Sequence, residues 1–168
     1  HAPAAGVIGP LADQGEGLQK LSVETEPSAQ TWETFAAQLR EGYHRRQIPC
    51  RTPGGFCLLF TRDLVQKIGL FDEAFVAGHG DDEDFCLRAT LAGYRNYVAG
   101  DVFVHRLRRA APGRDRSAMD RKWSSGAGGP DEKALTVLRA TELAGDLYFR
   151  GEIDRAVETL VDCIKIAP

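Results

Sequence analysis

The run Phe56-Cys57-Leu58-Leu59-Phe60 decides the class of fold. Five consecutive apolar residues, opened by the turn Pro53-Gly54-Gly55 and closed by Thr61, predict a strand buried on both faces. Such a strand belongs to an α/β sheet with helices packed on it. Downstream, Thr61 is placed to cap a short helix through Ile68, with Gly69 as its stop. Leu70, Phe71 and Phe75 then anchor a loop to the core. Asp81-Asp82-Glu83-Asp84 opens a helix that runs to Ala92 and ends at Gly93. Tyr94 to Ala99 and Asp101 to His105 read as two strands divided by Gly100. Upstream, residues 5–9 read as a short strand ended by Pro10, and residues 10–28 as a loop. Trp32, Phe35, Ala36, Leu39 and Tyr43 recur at helical spacing, which predicts a helix over 30–46 capped by Ser28 or Thr31.

The 168 residues are 43% hydrophobic and 27% charged, a composition able to form a buried core. The formal charge of −3 argues against nucleic acid as a partner, which calls for a basic excess. No apolar run reaches the length of a transmembrane helix, and no signal peptide is expected at the N-terminus. The cysteines Cys50, Cys57, Cys86 and Cys163 form no CxxC pair, and Cys57 and Cys86 read as small core side chains. A reducing, cytoplasmic setting is expected.

Composition shifts after residue 106. Arg106, Arg108, Arg109, Arg114, Arg116, Arg121 and Lys122 make a basic stretch, and Gly, Ser and Pro dominate from Ser124 to Pro130. The expected organisation is therefore an α/β part over 1–106, a basic Gly/Ser-rich linker over 107–130 and a helical tail over 131–168. The basic stretch reads either as a solvated, mobile linker or as a contact for a diphosphate, an anionic membrane or nucleic acid. The chain opens inside an expected strand and stops at a helix end, so it is expected to be a piece of a longer protein.

The densest chemical signal is Gly80-Asp81-Asp82-Glu83-Asp84-Phe85-Cys86-Leu87-Arg88. Two readings stand. Acidic residues in a first helical turn complement the helix dipole, and Asp84 with Arg88 is an i,i+4 surface pair. Alternatively, a carboxylate at a cleft edge acts as a general base on a hydroxyl, and its neighbours hold a hard divalent cation. His105 ends the apolar strand Val102-Phe103-Val104, where the active site of an open sheet lies, and reads either as a ligand or as a packed histidine.

Taken together, Gly54–Arg62, Ile68–Phe75, Asp81–Arg88, Ala92-Gly93-Tyr94 and Asp101–His105 resemble the C-terminal, acceptor-side half of a GT-A fold glycosyltransferase of family 2, in the family's order. Val7-Ile8-Gly9-Pro10-Leu11 resembles the strand that enters this half, so the resemblance covers about residues 5–106. It implies a partial GT-A sheet with flanking helices, and transfer of a sugar from a nucleotide-sugar donor to a sugar, lipid or protein hydroxyl, with inversion. It implies Asp82 as the catalytic base, beside Asp81 where the family usually has Glu. It implies Gly54, Gly55, Asp84 and Arg88 on the acceptor side, and His105 as a ligand of a divalent metal, Mg2+ or Mn2+, or of the donor diphosphate. Arg108 and Arg109 would close over the donor. The family's donor half, with its Asp-x-Asp metal motif, precedes the equivalent of residue 5, so this piece alone is expected to be inactive.

Residues 137–168 resemble one tetratricopeptide repeat, with Leu143, Ala144, Leu147, Gly151, Ala156, Leu160, Cys163 and Pro168 in frame. Ala140 stands at the usual Trp position and Cys163 at a later Ala position. One repeat cannot bury its own face, which implies a protein partner or self-association. The alternative to a transferase is a non-catalytic scaffold that binds a protein through this repeat.

Overall fold

The computed structural model describes residues 4–15, 17–21, 29–75, 80–107, 117–124, 136–137, 140–141, 144, 147–148 and 151–166. The chain is a mixed α/β protein that divides into two compact units, His1–Arg114 and Asp115–Pro168. In the first unit, β1 (Ala5–Ala12) is followed by a single 3-10 turn (Gly17–Gln19), α1 (Ala29–Gly42), β2 (Gln47–Pro49), α2 (Arg62–Ile68), α3 (Asp81–Leu91) and β3 (Arg95–Val104). The strands form one sheet in the order β1-β3-β2. β1 runs parallel to β3 and β2 antiparallel to it. Ala12 pairs with Val104, so β1 and β3 finish side by side and release Asp13 and His105 at the same edge.

Val7, Leu64, Phe85, Cys86 and Ala89 form the buried centre, with Leu58, Phe60, Val65, Ile68 and Tyr94 packed around them. Complete burial of a side chain such as Leu64 or Phe85 contributes about 1.5–3 kcal/mol. The local signals for α2 and α3 hold. Thr61 Oγ1 accepts the Leu64 N–H, and Gly69 at φ 80° ends α2. Gly80 at φ 105° starts α3, a left-handed conformation that glycine takes without steric cost.

Asn96 joins β1, β3, α3 and the 51–53 loop from the inside. It is 1% exposed. Its Oδ1 accepts the Val7 N–H at 2.9 Å, while Nδ2 donates to the Arg51 carbonyl at 2.7 Å and the Cys86 carbonyl at 3.0 Å. A side chain at Gly6 would lie 2.5 Å from that Oδ1, which is why β1 carries glycine there.

Several expectations are corrected. Pro10 does not end β1, which continues to Ala12. The register shifts at Pro10/Leu11, where the missing N–H of proline is compatible with an irregularity. Phe56–Phe60 is not a strand buried on both faces. Only Leu59 pairs, in an isolated bridge to Ile8 on the far side of β1. Leu58 and Phe60 pack inward, whereas Cys57 is exposed and Leu59 is 68% exposed, the alternation of an outer edge. The two strands expected around Gly100 are one strand, β3. Its backbone stays extended through an irregularity where Gly100 N–H donates to the Arg46 carbonyl at 2.8 Å and a Cβ would meet that oxygen at 3.1 Å. Thr31 lies inside the first turn of α1, while Ser28 falls outside the described residues, and α1 stops at Gly42. Phe71 stacks on Phe85 and Phe75 is buried, but Leu70 is 67% exposed.

In the second unit, α4 (Ser117–Ser124) and α5 (Ile153–Ile166) are helical, as are the described residues between Thr136 and Tyr148. α4 falls within the stretch read as a linker. Met119 and Trp123, one turn apart, are buried at 6% and 8% exposure. Ala144, Leu147 and Ala156 form a small core of a helix-turn-helix. Its joint is Gly151 at φ 79°, whose N–H donates to the Tyr148 carbonyl. Among the described residues, no helix is long and apolar enough to cross a membrane.

Candidate functional site

Two parallel strands ending side by side place the residues that follow them at one edge. Asp13 leaves β1 and His105 leaves β3, and His105 Nδ1 lies 2.9 Å from Asp13 Oδ2. The second carboxylate oxygen, Oδ1, accepts the Arg106 N–H at 2.9 Å. The Asp13 side chain is 8% exposed and that of His105 is 35% exposed. Burial pushes the Asp13 carboxyl upward, but the hydrogen bonds from Arg106 N–H and His105, the charge attraction of His105 and the Gln14 N–H together outweigh it and leave it below the ordinary carboxylate value. Trp32 of α1 stacks on the imidazole with ring centres 4.5 Å apart and planes 24° apart. Phe103 stacks on the same indole at 5.3 Å.

The Pro53-Gly54-Gly55 turn joins this edge to the acidic start of α3. Gln19, 4% exposed, donates from Nε2 to the Pro10 carbonyl and accepts the Gly54 N–H on Oε1 at 2.5 Å. The next amide, Gly55 N–H, donates to Asp82 Oδ2 at 2.8 Å. Asp82 Oδ1 accepts the Glu83 N–H at 2.9 Å. Phe56 then lies under the Arg106 guanidinium, 4.4 Å from its ring centre, while Arg106 also donates to the Gln14 carbonyl. A continuous series of contacts thus runs from Asp82 through Gly55, Phe56 and Arg106 to Asp13 and His105.

The four carboxylates at α3 have separate fates. Asp84 is fully buried and accepts Arg88 Nε at 2.9 Å, and Arg88 also donates to the carbonyls of Ile68 and Leu70. This pair, expected on the helix surface and at the acceptor, has its carboxylate buried and its guanidinium partly exposed, and it fastens α3 to the end of α2. Asp81, Asp82 and Glu83 are partly exposed. Cys86, one turn after Asp82, offers no nucleophile. Burial, followed by the negative charges of Asp82, Cys50 and Glu83, pushes its thiol far up.

Set against models of protein families, curated proteins and solved structures, the chain matches none.

Gly54, Gly55, Asp82 and His105 therefore belong to one connected set of loops, and Asp81 adjoins it. Arg108 and Arg109 lie outside the described residues. Among the described residues, no group of three or more His, Cys, Asp or Glu side chains is arranged to hold a metal ion. His105 offers one nitrogen, so these residues do not by themselves make up the ligand set of a divalent cation. Asp13 and Gln19 were not expected at this site, and Trp32 was expected only as a residue of α1's apolar spacing. The signal for Asp13 is its place: an acid directly after the first parallel strand stands at the edge where open α/β sheets bind ligands.

Proposed function

We propose that residues 5–106 are the acceptor-side half of a glycosyltransferase, which moves a sugar from a nucleotide-sugar donor to an acceptor hydroxyl with Asp82 as the general base. The observation that carries this reading is the Asp82 carboxylate. It is partly exposed at the start of α3 and fixed by the Gly55 and Glu83 N–H groups. The buried Asp84 beside it is engaged by Arg88 in the fold. In the reaction, Asp82 takes the hydroxyl proton as the acceptor oxygen bonds to the anomeric carbon, and the nucleoside diphosphate leaves with the electron pair of the broken bond. Inversion at that carbon follows from a single displacement. His105, with Arg108 and Arg109, faces the donor diphosphate in this reading. A divalent ion, Mg2+ or Mn2+, would take His105 as one of its ligands in this reading. The cytoplasm or the inner face of the membrane is the corresponding site of action.

The test is a transfer assay on the full-length protein with a panel of nucleotide sugars and sugar, lipid and protein acceptors, with wild type beside Asp82→Asn. Product formation by wild type and its loss in the variant support the reading. Equal transfer by both removes Asp82 as the base.

A second reading, a protein-binding scaffold built on a tetratricopeptide-like hairpin, draws on α5. Ile153, Val157, Leu160, Val161 and Ile164 are each at least 41% exposed and recur at helical spacing. Self-association belongs to this reading, and a concentration-independent monomer in sedimentation would remove that part of it.

A further inference from the structure

Asp13 and His105 are both at the ends of parallel strands, and their contact does more than join two loops. A carboxylate that stays ionised has no proton to donate, so it can meet imidazole Nδ1 only as an acceptor. Asp13 is held in that form by its second oxygen, which accepts the Arg106 N–H at 2.9 Å. Its side chain is nearly enclosed. The proton on the His105 ring is thereby drawn to Nδ1. Trp32 covers a ring face, and its stacking at 24° restricts the rotation that would exchange the two nitrogens. Nε2 makes no hydrogen bond among the described residues, and the His105 side chain keeps 35% exposure.

We propose that Asp13 is a positioning residue that locks the neutral His105 ring in the Nδ1–H tautomer and leaves the Nε2 lone pair without a partner among the described residues. In the neutral ring Nε2 then acts as an acceptor or a ligand atom, whereas the protonated ring carries a proton there and donates it. For its consequence in sugar transfer the proposal rests on the reading of His105 as donor-facing. Its physical content does not, because the tautomer exists whether or not Asp82 is a base. A neutral imidazole of this form cannot donate a hydrogen bond to a diphosphate oxygen from Nε2. It can accept a proton or bind a Lewis-acidic group there.

The test is long-range proton–nitrogen NMR of the 168-residue chain labelled with 15N-histidine, at about pH 9, above the ordinary histidine range. The His105 signal is identified by its loss in His105→Gln. The expected spectrum has a protonated Nδ1 and an unprotonated Nε2. Asp13→Ala is expected to shift the ring toward Nε2–H, and Asp13→Asn, whose amide oxygen can still accept, to keep part of the wild-type form. A wild-type ring protonated at Nε2 overturns the proposal, as does an Asp13→Ala protein with an unchanged tautomer. If Asp13→Ala does not fold, the wild-type spectrum decides alone. The tautomer can be correct while transfer by Asp82→Asn is unchanged, so failure of this proposal and failure of the sugar-transfer reading are separate results.

Discussion

Asp82 Oδ2 accepts the Gly55 N–H at 2.8 Å, across 27 positions of the chain. That bond fixes the carboxylate at the helix start against the turn that also reaches Gln19 and Arg106. The turn and the acidic helix start are thus one unit of geometry. A Cβ at Gly55 would lie 2.9 Å from Asp82 Oδ2 and 3.1 Å from Asp82 Cβ. Gly55→Ala therefore displaces the carboxylate. Transfer by the full-length variant is expected to fall about 100-fold, the scale of a misplacement near 1 Å. The urea midpoint should move little, because Gly55 itself is exposed. Wild-type activity in Gly55→Ala would show that Asp82 need not be held where it is.

Asn96 satisfies three elements at once with one buried amide. Asn96→Leu leaves the Val7 N–H without its partner and is expected to cost about 2–4 kcal/mol in urea unfolding. A loss under about 1 kcal/mol would mean that the interior supplies a replacement donor or acceptor.

How much of this was readable in advance depended on the range of each interaction. Thr61, Gly69, Gly80 and Gly93 act within one helical turn, and the starts and stops of α2 and α3 follow directly from the sequence. The Asp13–His105 and Asn96–Val7 contacts join residues brought together by parallel pairing of β1 with β3, Gln19–Gly54 joins two loops 35 positions apart, and nothing in local spacing announces them. Phe56–Phe60 misled because hydrophobicity alone does not separate a central strand from an edge segment with exposed alternate residues. Gly100 misled because a glycine taken to divide two strands can instead mark an irregularity within one. Met119 and Trp123 lie amid charged residues, and composition concealed their helix. Asp82 and His105 stand out in the sequence by residue type and position, while Asp13, which meets His105, does not.

Asp13 makes stability pH-dependent, and the sign follows from its lowered folded value. Its unfolded value is near the ordinary 3.8, so its contribution is fully present above that pH and fades as the pH falls through the lower folded value. Urea unfolding of wild type and Asp13→Asn, compared between about pH 6 and pH 2.5, should show a stability difference that shrinks toward acid. A difference independent of pH over that interval would mean that Asp13 has the same proton affinity in both states.

The helix-turn-helix of the second unit predicts contrasting responses on two faces of α5. Ala156 is 5% exposed in the small core with Ala144 and Leu147, so Ala156→Leu overpacks it and should cost about 1–3 kcal/mol. Ile164 is 65% exposed, and Ile164→Lys should change stability by less than about 0.5 kcal/mol. Thermal unfolding of the two variants distinguishes them, and equal losses would contradict the assignment of faces.

The most direct measurement is the transfer rate of the full-length protein carrying Asp82→Asn, set beside Glu83→Gln at the adjacent carboxylate. Asp82→Asn is expected to lower kcat by about 10²–10⁴-fold, with a small fall in the urea midpoint because the amide accepts from only one of the Gly55 and Glu83 N–H groups, while Glu83→Gln keeps a rate near wild type. A wild-type rate in Asp82→Asn, or an equal fall in Glu83→Gln, would contradict it.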